Sequence, residues 1–373
     1  MSGRVDIAIV GAGIAGASLA AEAAPHASVL LVEAEDQPGY HSTGRSAAFW
    51  SETYGGPLIQ PLTSASGPLL AEPAAEFHEG SFLKRRGAIH IADNAGLPAL
   101  ARLASEFEGS SIALQEASRE DLAARIPGLR QGWTAGLLES GCADIDVAAL
   151  HGAYLRAARR GGAALTTGAR LRQAERQAEG WRLATSAGTF EARLLVNAAG
   201  AWADEVAAMA GVEALGIRPY RRTIVQLRVG PPAPADLPLV IDASGRFYFK
   251  PEAGGRLWLS PHDETPCAAS DCAPEELDVA LAIERLQQVV DWQVERVEHS
   301  WAGLRSFAPD RLPVYGFAPG QPDFFWCAGQ GGFGIQTAPA AAKLASALLL
   351  SHAPDPLVAH IDAEPYAPGR LMN

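Results

Sequence analysis

The chain has 373 residues, of which 48% are hydrophobic and 19% charged, so it can bury a large core and is expected to form two domains. Its formal net charge of −12 at pH 7, without any run of Lys or Arg, argues against a nucleic-acid partner, because phosphate binding requires a basic surface. A small-molecule substrate is therefore the simplest expectation.

Cysteine, histidine and apolar patterns narrow the class of protein further. The four cysteines are too few and too scattered for a disulfide framework, and the nine histidines show no metal-ligand spacing, so we expect no metal site. The apolar stretches are short or interrupted by glycines, so we expect neither a signal peptide nor a transmembrane segment. These features together predict reduced thiols and a cytoplasmic location.

The N-terminus carries a nucleotide-binding pattern. In VDIAIVGAGIAGASLAAEAA, a strand from Val5 to Val10 is followed by glycines at the G-x-G-x-x-G spacing and by a helix-forming stretch. Gly11 allows a sharp turn, Gly13 lets the backbone approach a pyrophosphate, and Gly16 lets the helix pack close to the strand. A second strand, SVLLVE, ends in Glu33, which would accept hydrogen bonds from ribose hydroxyls and so favours NAD or FAD.

Three further segments indicate which dinucleotide it is. HSTGRSAAFW follows at residues 41–50, LLVNAAGAW at 194–202 is a buried strand ending in small residues, and FFWCAGQGGFGIQTAPAAAKLASALL begins at residue 324. The last combines a strand, a glycine-rich turn and a long helix, whose N-terminus favours an electron-rich ligand. Separated segments that each look like cofactor contacts suggest a long cofactor lying across the domain, which favours FAD.

In this order and at these separations, GAGIAGAS, VEAE, HSTGRSAA, NAAGAW, HSWAGLRSF and GQGGFGIQT resemble the D-amino-acid oxidase superfamily of flavoproteins along essentially the whole chain. Within it, the bacterial FAD-dependent D-arginine dehydrogenases are the most similar group. The resemblance implies an α/β, two-domain fold of the D-amino-acid oxidase and glycine oxidase kind. A discontinuous, Rossmann-like FAD-binding domain would span about 1–80, 145–212 and 310–373, and a mixed-sheet substrate domain would span 81–144 and 213–309.

The resemblance also implies a set of FAD-binding residues. Hydroxyl and backbone groups of HSTGRSAA would wrap the pyrophosphate and the isoalloxazine ring, with Arg45 either in this role or as a structural anchor of the loop. Leu171 would contact the adenine through its backbone, and the GQGGFGIQT turn would hold the pyrimidine side of the flavin. No cysteine lies near residue 310, so we expect non-covalent FAD. The full predicted set is Gly11, Gly13, Ala15, Gly16, Glu33, Ala34, Ser42, Thr43, Gly44, Arg45, Ser46, Ala47, Ala48, Leu171, Ala199, Gly200, Gly331, Gly332, Phe333, Gly334, Ile335, Gln336 and Thr337.

An amino-acid substrate presents a carboxylate, and Arg222 in RPYRRTIVQL and Arg305 in WAGLRSF are suited to bind it in bidentate fashion. From the residues alone, either arginine could equally be solvated or paired at the surface. The resemblance implies that both bind the carboxylate, with Tyr248 and Tyr54 beside the substrate and the Gly332 carbonyl at its amino group.

Two positions depart from the arginine-using pattern. Phe49 stands where those relatives carry a histidine, and Gly87, in SFLKRRGAIHI, stands where they carry the acid that holds a guanidinium. With Trp50 beside Phe49, this end of the substrate pocket is expected to be apolar. We therefore predict oxidative deamination of neutral or hydrophobic D-amino acids, or of an imino acid such as D-proline, to 2-oxo acids and ammonia by hydride transfer to flavin. D-arginine and D-lysine are expected to be poor substrates.

Other functions stay open at this point. A glycine- or sarcosine-type amine oxidase would share the fold and the carboxylate site, and a flavin-carrying subunit of an electron-transfer complex would share the cofactor site. The residues also leave the electron acceptor open among a quinone, another carrier and oxygen.

Overall fold

The computed structural model describes residues 4–372. The α-helices in this range are α1 (Ile14–Ala23), α2 (Gln60–Ala71), α3 (Leu97–Glu106), α4 (Arg119–Arg125), α5 (Val147–Arg160), α6 (Ala203–Met209), α7 (Glu276–Val289) and α8 (Gly334–Leu350). The strands are β1 (Val5–Val10), β2 (Val29–Val32), β3 (Phe49–Trp50), β4 (Leu83–Arg85), β5 (Ala88–Asp93), β6 (Leu114–Ala117), β7 (Trp133–Glu139), β8 (Ala143–Ile145), β9 (Ala164–Thr166), β10 (Leu171–Gln177), β11 (Gly180–Thr185), β12 (Gly188–Asn197), β13 (Arg218–Gly230), β14 (Leu239–Asp242), β15 (Tyr248–Glu252), β16 (Arg256–Ser260), β17 (Thr265–Pro266), β18 (Gln293–Phe307), β19 (Val314–Ala318) and β20 (Gln321–Ala328).

The first sheet is built around the nucleotide-binding pattern, and its centre is the parallel order β20-β12-β1-β2-β9. Alternate residues of β1 are buried on opposite faces: Ile7 and Ile9 pack with α1 and α8, whereas Ala8 and Val10 pack with α6. Continuous apolar runs are typical of parallel strands that are covered on both faces. The carboxyl ends of these strands are the edge at which open α/β sheets bind ligands.

The second sheet is mixed, with the order β17-β13-β16-β15-β14-β5-β7-β6 and with β18 along the other edge of β13. β14 and β5 are parallel, while β13 and β18 form a long antiparallel pair. Val225 and Leu227 of β13 face α7, together with Leu286 of that helix. Ile224, which points the opposite way, packs with Ala47 of the loop that follows the first nucleotide-binding segment. The inner face of this sheet therefore meets residues predicted to bind the cofactor.

A small third sheet, in the order β3-β8-β4, fixes the end of the HSTGRSAAFW segment beside the second sheet. The observed architecture is the α/β fold with a mixed second sheet that the sequence predicts, while the bounds of the two domains stay a prediction. The four cysteines are free. None of the helices within residues 4–372 has the length and hydropathy to cross a bilayer.

Candidate active site

The glycine-rich turn between β1 and α1 depends on close backbone contacts. Gly11 has a φ of +101°, which L side chains rarely adopt, and its amide donates to the Val32 carbonyl at 2.8 Å. A Cβ on Gly16 would overlap the Gly11 carbonyl oxygen, so a side chain there would displace the turn. Gly13 is the N-cap residue of α1, and the positive end of this helix therefore lies at the turn.

A partly open cavity runs from this turn to the turn that precedes α8. It gathers segments that are far apart in the sequence. The predicted cofactor residues that line it are Gly11, Gly13, Ala15, Glu33, Ala34, Ser42, Thr43, Ser46, Leu171, Ala199, Gly200, Gly331, Gly332, Gly334 and Ile335. This arrangement suits a long ligand with its phosphates at the N-terminus of α1.

Glu33 holds the end of β2 against the glycine turn. One carboxylate oxygen accepts from the Ala12 amide at 2.7 Å and the other from the Glu35 amide at 3.0 Å. The side chain is also part of the cavity wall, so the same carboxylate that fixes the turn faces the space where a ribose would lie. A carboxylate that is already oriented in this way loses little conformational freedom when it accepts from a ligand.

The HSTGRSAA segment is anchored to both sheets. Thr43 Oγ1 accepts from the Ile14 amide at 3.0 Å, and Ser42 Oγ donates to the Leu304 carbonyl at 2.7 Å. Arg45 points away from the cofactor cavity, donates to the Cys272 carbonyl at 2.9 Å and pairs with Asp271. Of the two roles open to Arg45, the structure favours that of a structural anchor.

Some of the other predicted cofactor residues also lie outside the cavity. Gly44 closes the loop through its amide to the Gly39 carbonyl, Ala47 is buried among core residues, and Ala48 lines a neighbouring cavity instead. Gly16 lies beneath the turn. These residues shape the loops from behind the cavity, as expected for Gly16, and cofactor contact through the backbone of Gly44, Ala47 and Ala48 stays a prediction.

The turn before α8 divides in the same way. Gly331, Gly332, Gly334 and Ile335 line the cavity, but Phe333 packs against Phe307 and Tyr54, and Thr337 Oγ1 donates to the Phe333 carbonyl at 2.9 Å. The side chains of Phe333 and Thr337 therefore face the protein interior, and any contact of these two residues with the flavin stays a prediction for their backbone groups.

Gln336 was also predicted to serve the flavin, and its contacts are different. It is 2% exposed, accepts from the Ser51 amide at 3.2 Å, and donates to the Tyr54 carbonyl at 3.1 Å and to Thr63 Oγ1 at 3.0 Å. All these partners belong to the protein. Gln336 thus holds the segment that carries Tyr54.

The two predicted arginines lie on one face of the β13–β18 pair. Arg222 is opposite Gly303, and Arg305 is opposite Tyr220, so the two guanidinium groups extend from diagonal positions of the ladder. Gly303 leaves room for them, since a Cβ there would lie 3.1 Å from Nη1 of Arg305. Arg221 faces the other side of the sheet, where it pairs with Asp278 of α7 at 2.9 Å.

Arg305 is a buried cation without a carboxylate partner among residues 4–372. It is 6% exposed, and its guanidinium donates to the Leu304 carbonyl at 3.3 Å. Burial and the nearby charge of Arg222 lower the pKa of Arg305. Arg305 lines the cofactor cavity, so an anion bound in that cavity would compensate the charge of the guanidinium.

Arg222 is more fully engaged. Its Nε donates to the Asp263 carbonyl at 2.9 Å and its Nη2 pairs with Glu264 at 3.0 Å. Burial opposes its charge, but the neighbouring Tyr54 and Tyr248 hydroxyls outweigh this effect and raise the pKa of Arg222. The arginine is therefore fixed with its charge directed toward the two tyrosines.

Aromatic side chains form the wall of a second cavity next to the arginines. Phe49 lies with its ring centroid 5.2 Å from that of Tyr54 and 5.8 Å from that of Tyr248. The Tyr54 hydroxyl lies so close to Gly332 that a Cβ at this glycine would overlap it. Because Gly332 lines the cofactor cavity, the two cavities meet at this contact. The second cavity, here called the substrate cavity, is lined by Phe49, Thr53, Tyr54, Gly55, His90, Ala99, Arg102, Leu103, Glu106, Ile241, Asp242, Ala243, Gly245, Tyr248 and His262.

Two expectations about the walls of the substrate cavity were wrong. Trp50 turns away from it, donates from Nε1 to the Thr63 carbonyl at 2.9 Å and packs in the core beneath α2, because successive strand residues face opposite sides. Gly87 lies outside the cavity, at the entry to β5, while His90 of that strand lines it. Of the carboxylates in the wall, Asp242 is bound by Arg246 at 2.7 Å and Glu106 is exposed.

Several wall residues had no sequence signal. His262 follows β16, and nothing in SPHDE distinguishes it from a surface histidine. Thr53 and His90 come together at the buried carboxylate of Glu139, which accepts from Ser51 Oγ at 2.9 Å, from the Glu52 amide at 2.7 Å and from Thr53 Oγ1 at 2.7 Å. These contacts span up to 88 positions in the chain, so no short motif could reveal them.

The fold and the two cavities together define a dinucleotide-binding protein with an adjoining site for a small anionic ligand. The cofactor cavity fits FAD, since it combines a helix N-terminus for the pyrophosphate, Glu33 for the ribose and a second glycine turn at the far end. Within residues 4–372 there is no group of three or more His, Cys, Asp or Glu side chains placed to hold a metal ion.

Comparisons with known proteins define the family. The model of the DAO family, described as FAD dependent oxidoreductase, matches residues 6–348. A glycine oxidase from Pseudomonas aeruginosa is 32% identical over 275 residues, which is 69% of each chain, and one from Geobacillus kaustophilus is 27% identical over 94% of each. The crystal structure of glycine oxidase from Geobacillus kaustophilus superposes with a TM-score of 0.85 at 25% identity, covering 98% of both chains. The chain belongs to the DAO family of FAD-dependent oxidoreductases, as the motifs predict, and FAD is its cofactor.

Proposed function

We propose that this chain oxidises an amino acid with a neutral side chain to a 2-oxo acid and ammonia, with non-covalently bound FAD. The observation that carries this proposal is the buried guanidinium of Arg305, which lines the cofactor cavity and has no carboxylate partner within residues 4–372. An unpaired buried cation is costly, so its presence favours a site that receives an anion. A substrate carboxylate has the charge and the bidentate geometry that a guanidinium recognises.

In the proposed reaction, the protein binds and orients the substrate. Arg305 and Arg222 would hold the carboxylate, Tyr248 would donate to it, and the Gly332 carbonyl would accept from the amino group. These contacts would direct the substrate Cα toward the cofactor cavity, and correct orientation alone removes several kcal/mol of barrier. Bound FAD supplies two-electron chemistry by accepting a hydride. The amine gives up one proton, Cα gives up its hydrogen with the bonding electrons, and water hydrolyses the resulting imine.

The substrate cavity favours a neutral side chain longer than that of glycine. Beyond Tyr54 and Tyr248 the space continues to α3, between the apolar side chains of Phe49, Leu103 and Ile241. Glu106, a carboxylate in the cavity wall, is exposed, and a solvated carboxylate adds little to the binding of a guanidinium. These contacts support neutral or hydrophobic amino acids, or D-proline, over D-arginine. With D-proline the product would be a cyclic imine, whose hydrolysis gives an amino 2-oxo acid without release of ammonia. The D configuration rests on the family resemblance alone.

A second candidate is oxidation of glycine or N-methylglycine, and it is favoured by the similarity to glycine oxidases. Such substrates would use the same carboxylate site and would leave the α3 end of the substrate cavity unfilled. The two candidates therefore differ in the expected benefit of a side chain on Cα.

The test is anaerobic bleaching of the purified yellow protein with glycine, N-methylglycine, D-leucine, D-proline, D-arginine and L-leucine. We expect D-leucine or D-proline to reduce the flavin with the highest rate per concentration, and D-arginine to be much slower. A preference for glycine or N-methylglycine would support the second candidate, and a preference for D-arginine would contradict the reading of the cavity. Admission of air after bleaching then shows whether oxygen is an acceptor.

A further inference from the structure

His262 occupies an unusual backbone position in the wall of the substrate cavity. It follows directly after β16 and has a φ of +52°, in the left-handed region that few non-glycine residues adopt. Its ring lies 5.7 Å from that of Tyr248, in an edge-on arrangement. Residues held in sparsely populated backbone conformations are concentrated at functional sites, so this conformation indicates a functional role for His262.

The hydrogen bonding of the ring fixes its tautomer. Nδ1 lies 2.7 Å from the Gly245 carbonyl oxygen, and because a carbonyl oxygen only accepts, Nδ1 must carry the hydrogen. Burial, together with the charges of Arg222 and Arg305, lowers the pKa of His262 to about 3. The ring is therefore neutral at ordinary pH, and Nε2 carries a lone pair.

This lone pair accepts no hydrogen bond from any group within residues 4–372. The ring forms its described hydrogen bond through Nδ1, and Nε2 belongs to the side chain that lines the substrate cavity with Tyr54 and Tyr248. A lone pair repels a carboxylate, which the arginines bind in any case. The ligand group that suits Nε2 is an N–H, and the amino group of an amino acid is attached to the carbon that carries its carboxylate.

We propose that Nε2 of His262 accepts a hydrogen bond from the amino group of the bound substrate and so selects amino acids over plain carboxylates. This inference rests on the proposed oxidation of an amino acid. With the Gly332 carbonyl as the other acceptor, a neutral amine would have a partner for each of its two N–H groups. A histidine this weakly basic holds the amine but does not take its proton, so its role is recognition and positioning.

Two substitutions separate this role from a purely structural one. His262→Asn retains a donor close to the Nδ1 position and tolerates the left-handed conformation, but it removes the acceptor at Nε2. His262→Gln places an amide oxygen near the Nε2 position. Neither change touches the arginines that bind the carboxylate.

The measurement is the dissociation constant of two ligands without air. For D-leucine it comes from the concentration dependence of the rate of flavin reduction in a rapid-mixing experiment, and for 4-methylpentanoate, which is the same skeleton without the amino group, from the change in flavin absorbance. In H262N we expect D-leucine to bind about tenfold more weakly and 4-methylpentanoate to bind within twofold of its wild-type affinity. In H262Q we expect partial recovery of D-leucine binding. Equal weakening of both ligands, or of neither, would overturn the inference.

The same experiment keeps the inference separate from the proposed function. If D-leucine and the other amino acids leave the wild-type flavin unreduced, the proposed function fails. If the wild type is reduced by D-leucine but H262N binds D-leucine and 4-methylpentanoate as the wild type does, the inference about His262 alone is wrong.

Discussion

Replacing Arg305 with methionine tests the central observation of the site. The substitution keeps an unbranched, flexible side chain but removes a buried guanidinium that has no carboxylate partner in residues 4–372. If the arginine exists to bind a substrate carboxylate, the variant loses a bidentate pair of charge-assisted hydrogen bonds. At roughly 3 kcal/mol for the pair, KM should rise about 150-fold.

The stability of the variant gives an independent readout. Removing an unpaired buried charge is neutral or stabilising, so the melting temperature of R305M without ligand should equal or exceed that of the wild type. A carboxylate such as 4-methylpentanoate at 100 times its dissociation constant should stabilise the wild type by about 2.7 kcal/mol, or roughly 5 °C, and should leave R305M unchanged. Both effects are measured by thermal melting of the FAD-loaded proteins. R305K, which keeps the charge but loses the fork of donors, should lie between them.

The reasoning would be refuted by a variant that melts several degrees lower while its affinity for carboxylates stays the same. That outcome would assign Arg305 a structural role, through its contact with the Leu304 carbonyl, and would remove the main support for an anionic substrate.

Three further outcomes are expected. In E139Q, one hydrogen-bond donor of residues 51–53 faces the amide N–H of the new side chain and loses its acceptor. KM for the amino acid should therefore rise by roughly tenfold, with FAD content unchanged. The control E116Q, at an exposed position, should behave as wild type in the same steady-state assay. For His262, the folded-state pKa of about 3 lies below the usual 6.5. The contribution of the neutral ring to stability is therefore complete above pH 6.5 and is lost as the pH falls toward 3. Chemical denaturation should show that the free energy of unfolding of H262N rises by roughly 2 kcal/mol relative to that of the wild type between pH 7 and pH 5, and the absence of this relative rise would contradict a neutral, buried ring. In G16A, the overlap of the new Cβ with the Gly11 carbonyl should weaken FAD binding at least about tenfold. The control G152A, where a Cβ meets only the flexible side chain of Arg156, should bind FAD as the wild type does. Equal FAD content of the two variants after dialysis would disprove the steric argument.

Local chemistry made the cofactor site predictable from the sequence. The glycine turn, the following helix and Glu33 all lie within about 30 residues, and each has a single physical reason for its identity. The predicted cofactor residues whose side chains do not line the cavity, such as Gln336, share a different property. They lie in the right segment, but helix geometry turns them to the buried face, and a motif does not report which face its members take.

The substrate site depends on contacts between distant parts of the chain. Arg222 and Arg305 converge only because β13 and β18 pair in one register. Without the family resemblance, the sequence does not distinguish either arginine from one at the protein surface. The placement of Gly87 came from the family resemblance and failed because Gly87 precedes β5, whereas His90 of that strand lines the cavity. The role of His262 could not be predicted from the sequence, since it depends on a backbone conformation and on a tautomer of the ring.

The segment that carries Tyr54 is bound by Gln336 on one side and by Glu139 on the other. Gln336 belongs to the helix that begins at the cofactor cavity, so these contacts provide a direct path by which FAD binding and substrate binding would influence each other. By reciprocity, a carboxylate that binds more tightly to the FAD-loaded protein must also slow or weaken the loss of FAD by the same factor at equilibrium. A cell that is rich in substrate would therefore keep this flavoprotein loaded.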